Sequence, residues 1–143
     1  RDLAPAIVSR QAGYRFAGYL QAQRRGLLSH QGRGRDVTRP ELIEMYGFDT
    51  KYAGHMIRLG IQGIELVTTG RLTLPMQAAD AQYIREIRTG KHTMESVLAE
   101  AERLEDQLRI LTETSKLPEY PDRDAADPWL VSAYQRAWAA AGR

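Results

Sequence analysis

The stretch Asp49-Thr50-Lys51-Tyr52-Ala53-Gly54-His55-Met56-Ile57-Arg58-Leu59-Gly60-Ile61-Gln62-Gly63-Ile64-Glu65-Leu66-Val67-Thr68-Thr69-Gly70 decides the fold. Asp49 places a side-chain acceptor ahead of a run with helical periodicity, and Gly70 closes that run. At 100° per residue, Ala53, Met56, Ile57, Gly60, Gly63, Ile64 and Val67 gather on one side. A narrow stripe opposite them carries Lys51, His55, Arg58, Gln62 and Glu65. The spacing predicts an amphipathic helix over 50–69. Its two buried-side glycines each cost about 1 kcal/mol against alanine in helix propensity, so they predict a close approach by another element.

The same helical period recurs on either side. Pro5 opens a segment running to about Leu28, with Ala12, Phe16, Tyr19, Leu20, Gln23 and Leu27 at helical spacing and Arg10, Arg24 and Arg25 toward solvent. Residues 29–37 form an Arg/Gly-rich loop without periodicity. Thr38 reads as the cap of a short helix with Pro40 in its first turn and Glu41 at its third position, stopped by Gly47. Residues 71–75 are extended, and a helix follows from about Ala78 to Arg88. Thr93 caps a long acidic helix whose seam is Met94, Val97, Ala101, Leu104, Leu108 and Leu111, a 3-and-4 spacing that packs along one neighbour. Asp127-Pro128 starts a last helix, with Trp129, Ala133 and Trp138 among its larger or tightly packing residues. The fold class is all-α: residues 1–143 form a single bundle of about five to six helices with negligible strand.

Composition removes several functions. The 143 residues contain no cysteine, which excludes disulfide scaffolds, Cys-type zinc sites and thiol catalysis. No apolar run approaches the roughly 18 residues of a membrane span, and no signal peptide opens the chain, so the expected location is cytoplasmic with no membrane partner. The chain begins with Arg1 rather than Met, and further residues are expected before it. The formal charge of +2 hides an asymmetry. Residues 1–60 carry ten Lys/Arg against five Asp/Glu, and residues 61–143 carry ten against 13. A basic first half suits an anionic partner, and arginine, the commoner cation here, forks onto phosphate oxygens.

Three potential cations adjoin at Lys51, His55 and Arg58. Like charges at this spacing repel mildly, and an anion between them reverses that sign. Lys51 also lies in the first helical turn, where free backbone N–H groups favour phosphate, and Glu65 could orient the stripe from its far end. Spacing alone leaves this stripe open to a second reading, the wet side of a core helix, which is the commoner origin of such patterns. Asp122-Arg123-Asp124 has the spacing of paired metal carboxylates but reads as a proline-flanked loop. His30, His55 and His92 fall in separate segments without zinc spacing. No nucleophile triad or glycine-rich phosphate loop is present, so no catalytic residue and no metal ligand is assigned in this chain. Tyr14, Tyr19, Tyr46 and Tyr52 could stack on bases, although aromatic residues at helical spacing are more often core.

The ordered matches Lys51-x-x-x-His55-x-x-Arg58-Leu59, Thr69-Gly70-x-x-x-x-Pro75, Ile87-Arg88-Thr89-Gly90 and Ser115-Lys116-Leu117-Pro118-Glu119-Tyr120-Pro121-Asp122 carry a resemblance. The chain resembles the predicted nucleotidyltransferases of the DNA polymerase β superfamily, in the RNA-ligase-associated branch of bacteria and phages. The resemblance runs over about 48–122 and concerns the C-terminal helical half. Such enzymes begin with an α/β palm whose Gly-Ser loop and D-x-D carboxylates hold Mg²⁺, and no Gly-Ser dipeptide occurs here. The resemblance therefore implies a helical domain whose N-terminal catalytic partner is absent from this sequence, with Mg²⁺ and an NTP belonging to the full-length enzyme. It also implies that Lys51, His55 and Arg58 bind the nucleotide phosphates, and that Arg24, Arg25, Arg33 and Arg35 are candidate contacts to an acceptor such as a nucleic acid. The alternative is a non-catalytic helical module that binds nucleic acid or a protein partner. A third possibility is self-association through the acidic helix 93–114.

Overall fold

The computed structural model describes residues 7–29 and 39–142, which form six helices and no strand. They are α1 (Arg10–Ser29), α2 (Pro40–Tyr46), α3 (Thr50–Thr69), α4 (Ala78–Arg88), α5 (Met94–Thr114) and α6 (Arg123–Ala141). Helix α3 is the axis around which α1, α2, α4 and α5 pack. Its ends follow the local chemistry of the sequence. The Asp49 carboxylate accepts from the Lys51 and Tyr52 N–H groups, and Gly70 takes the left-handed conformation (φ 72°) with its N–H on the Leu66 carbonyl.

Leu20 and Leu27 of α1, Ala53, Met56, Ile57 and Val67 of α3, Ile87 of α4, and Val97, Ala101, Leu104 and Leu108 of α5 are buried. Gly60 and Gly63 sit where the neighbours come closest. A Cβ at Gly60 would lie 2.8 Å from the Leu104 Cβ, and one at Gly63 would lie 2.9 Å from the Phe16 Cβ. Because helices surround α3, Gly54, Leu59 and Leu66 are buried as well, beyond the single side that periodicity assigns. The seam of α5 likewise meets two helices, α1 and α3, rather than one, and buries Thr112 where the sequence pattern favours Leu111.

Local boundaries depart from the sequence reading in three places. Arg39, not Thr38, flanks the start of α2, and its side chain makes no capping bond. Helix α6 begins at Arg123 with Asp122 accepting from the Ala125 N–H, so Asp122-Arg123-Asp124 is a helix start rather than a loop, and Pro128 falls inside the helix. Tyr19, Trp129 and Trp138 are not packing residues; they are 57%, 40% and 69% exposed. Ser29 belongs to α1, and residues 30–37 of the Arg/Gly-rich loop lie outside the described residues, as do Pro5 and Thr38.

The segment after α5 is pinned on both sides. The Ser115 hydroxyl donates to the Val67 carbonyl at 2.6 Å, and the Arg10 N–H donates to the Pro118 carbonyl at 2.9 Å. Helix α6 then leaves this anchor with no buried residue.

Candidate functional site

A cleft of about 410 Å³ opens over the N-terminal half of α3. Lys51, His55 and Arg58 line it from α3, Arg88 from the end of α4, Arg39 from the approach to α2, and Gln23 from α1. Tyr52, Gly54 and Ile84 complete its lining. The structure thus brings the three stripe residues into one concavity and adds two arginines from other elements. No carboxylate is among the described residues that line it.

Each added arginine is held by packing. The Thr50 hydroxyl donates to the Arg88 carbonyl at 3.1 Å, fastening the end of α4 to the start of α3. The Arg88 stem crosses Gly54, where a Cβ would approach the Arg88 Cγ to 2.9 Å. Arg39 Nε donates to both Asp49 oxygens at 3.2 and 2.9 Å, and its guanidinium lies 4.8 Å above the Tyr52 ring. Asp49 therefore serves two partners, the first turn of α3 and the Arg39 side chain. Among the described residues, Lys51, Arg58 and Arg88 make no ion pair.

His55 sits between these charges. Arg58 Nη2 lies 2.9 Å from His55 Nδ1. Arginine only donates, so Nδ1 is the acceptor and Nε2 carries the proton. Burial and then the neighbouring Arg58 charge push the imidazole below its ordinary value of 6.5. A neutral His55 offers a hydrogen-bond donor rather than a third charge.

Two parts of the sequence reading change. The Lys51 and Tyr52 N–H groups are taken by Asp49 and the Ala53 N–H by the Asp49 carbonyl, so the helix start offers no free donors at these positions. The groups that line the cleft are therefore side chains rather than helix-start donors. Glu65 does not orient the stripe: it accepts from the Thr73 N–H at 3.0 Å and the Thr73 hydroxyl at 2.5 Å, holding the chain after α3. Arg24 turns to Glu105 of α5 at 3.6 Å, away from the cleft, and the exposed Arg25 does not line it. Arg33 and Arg35 lie outside the described residues. Periodicity does not join Arg39 and Arg88 to Lys51, although Arg88 lies in the Ile87-Arg88-Thr89-Gly90 match, because only the meeting of α2, α3 and α4 brings them together.

The donor set does not fit a divalent metal. Mg²⁺ takes carboxylate and water oxygens, whereas the cleft offers cations, and no group of three His, Asp or Glu suited to a metal occurs among the described residues.

An all-α bundle with a cationic cleft over its central helix is the class that these features define. Residues 1–132 match the family described as the RNA repair pathway DNA polymerase beta family, and the chain belongs to it. It is also 38% identical over 91 residues to an uncharacterized 38.9 kDa protein of Enterobacteria phage T4, encoded in the nrdC–mobD intergenic region. That match covers 62% of this chain and 26% of the phage protein, so the chain spans about a quarter of this relative. No solved structure matches the chain.

Proposed function

We propose that this chain is the helical domain of a polymerase-β-like nucleotidyltransferase, and that its cleft binds the phosphates of the NTP or of the acceptor. The observation that carries the reading is the lining: Arg39, Lys51, Arg58 and Arg88 converge with His55 and no carboxylate. The volume of 410 Å³ falls in the range of small-molecule sites. Gathering Lys51, Arg58 and Arg88, which make no ion pair among the described residues, in one concavity costs mutual repulsion, and a polyanion reverses that cost.

Nucleotidyl transfer forms a bond from the acceptor oxygen to the α-phosphorus and breaks the bond to pyrophosphate. Negative charge builds on the departing phosphates. Preplaced cations meet that charge without rearranging. Lys51 and Arg88 are point and fork contacts to phosphate oxygens, Arg58 adds a second fork, and the His55 Nε2–H donates to one oxygen. Mg²⁺, which supplies Lewis-acid activation in such chemistry, would be held by the palm that the family resemblance implies.

The test uses the protein that contains this chain together with its palm. Inorganic triphosphate binding is measured by calorimetry, and nucleotidyl transfer by label incorporation from an NTP. Lys51→Ala and Arg58→Ala are each expected to weaken triphosphate binding about tenfold, the loss of one charge-assisted contact. Arg109→Ala, on the exposed outer face of α5, is the charge-matched control and leaves both readouts unchanged. Unaltered triphosphate binding in both cleft variants would remove the phosphate assignment.

A further inference from the structure

Helix α6 presents an apolar surface that the other described residues do not cover. Leu130, Val131, Tyr134 and Trp138 are 48%, 55%, 54% and 69% exposed. At 100° per residue all four fall within an arc of about 100° on the helix, and Ala137 and Ala141 lie on the same side. The Tyr134 and Trp138 rings lie side by side, with centroids 5.7 Å apart, so they form one continuous patch. The family match ends at residue 132, which leaves Tyr134 and Trp138 beyond the shared module.

We propose that α6 is a self-pairing helix, through which two copies of this chain associate antiparallel about a two-fold axis at Tyr134. Charge argues for this occupant. From Pro128 to Gly142 the only charged residue is Arg136. A nucleic-acid surface would need several cations here, and an interfacial membrane helix would need a basic polar face. A neutral face can meet its own copy without repulsion, as a two-fold interface requires.

Shape and area agree with the charge. Leu130, Tyr134 and Trp138 are spaced one turn apart and span about 12 Å of helix. Antiparallel pairing sets each Trp138 against the partner copy's smaller leucine and brings the two tyrosines together at the axis. The four side chains expose roughly 450 Å² per copy, judged from full side-chain areas of about 150–250 Å². With the alanines and flanking stems, the pair buries on the order of 1,000 Å², enough for a specific interface of modest affinity. This proposal stands independently of the phosphate reading.

The experiment is sedimentation of the chain over a range of about 1 to 300 μM, with tryptophan emission recorded in parallel, a range suited to a weak interface at the low end of specific areas. Both tryptophans of the sequence lie in α6, so their emission reports on this helix alone. A monomer–dimer equilibrium with blue-shifted emission at high concentration is expected. Tyr134→Arg and Trp138→Ala are each expected to weaken it at least about tenfold, with unchanged helix content because α6 buries nothing in the bundle. Mixing Tyr134→Arg with Tyr134→Glu restores the dimer, which non-specific adhesion would not do. A monomer at every concentration overturns the proposal, as does an association indifferent to both substitutions. Binding to anionic vesicles without self-association also overturns it. So does a longer protein that remains monomeric while its α6 tryptophans are shielded from an aqueous quencher.

Discussion

Replacing Asp49 with alanine removes two supports at once, and their sizes can be worked separately. Asp49 is 1% exposed. It receives the Lys51 and Tyr52 N–H groups at 3.0 and 3.1 Å and the Arg39 Nε at 2.9 Å. Loss of an N-cap costs about 1 kcal/mol. Removing one partner of a fully buried ion pair costs roughly 3–5 kcal/mol. The Arg39 side chain keeps 22% exposure beside an open cleft, so water replaces part of its lost partner. About 1–2 kcal/mol is the fitting share, which brings Asp49→Ala to about 2–3 kcal/mol. Asp49→Asn keeps the capping oxygen and should lose only about 1–2 kcal/mol, the ion-pair share. Urea unfolding followed by far-UV circular dichroism measures both, with a fall of roughly 5–10 °C in midpoint expected for the alanine variant on heating. Combining Asp49→Ala with Arg39→Ala closes a double-mutant cycle, and a coupling of about 1 kcal/mol is expected. The same substitution acts in the opposite direction on binding. Asp49→Asn removes the negative charge behind Arg39, so triphosphate affinity should hold or rise a few-fold while stability falls. If Asp49→Ala costs under about 0.5 kcal/mol, or costs the same whether or not Arg39 is present, the double role of this carboxylate is refuted.

Two further predictions concern glycines and pH. Gly18 faces open space, so Gly18→Ala should stabilise by up to about 1 kcal/mol. Gly13→Ala should destabilise by about 1–3 kcal/mol, because its Cβ would meet Val67 Cγ1 at 2.7 Å and both branches of Thr112. Thr112 cannot turn aside without losing its 2.7 Å bond to the Leu108 carbonyl. Paired thermal unfolding checks both signs. His55, held below 6.5 in the folded chain, binds less proton than in the unfolded chain, so its contribution is present above pH 6.5 and is lost as pH falls through the folded value. Stability should therefore decline on acidification in that window, and His55→Gln should flatten the decline. A polyphosphate in the cleft favours protonated His55, so calorimetry should show binding tightening with proton uptake below pH 6.5 in the parent and not in His55→Gln.

The sequence by itself determined what depends on near neighbours. Caps at Asp49 and Thr93, stops at Gly70 and Gly90, and a 3-and-4 apolar period are interactions within one or two turns, so they define α3, α4 and α5 almost to the residue. The same local geometry placed Lys51, His55 and Arg58 on one stripe, because side chains three and four apart on a helix must share a face. Tertiary structure decided which of those positions face open space and who joins them. Arg39 and Arg88 enter the cleft only because α2 and α4 pack on α3, Glu65 leaves the stripe because the following turn folds back to it, and Asp49 withdraws the helix-start donors from use. Helix α6 makes the same point from the other side. Its tryptophans read as packing residues because apolarity measures the benefit of burial, but whether a surface is there to bury them depends on contacts between distant parts of the chain, and among the described residues none buries them.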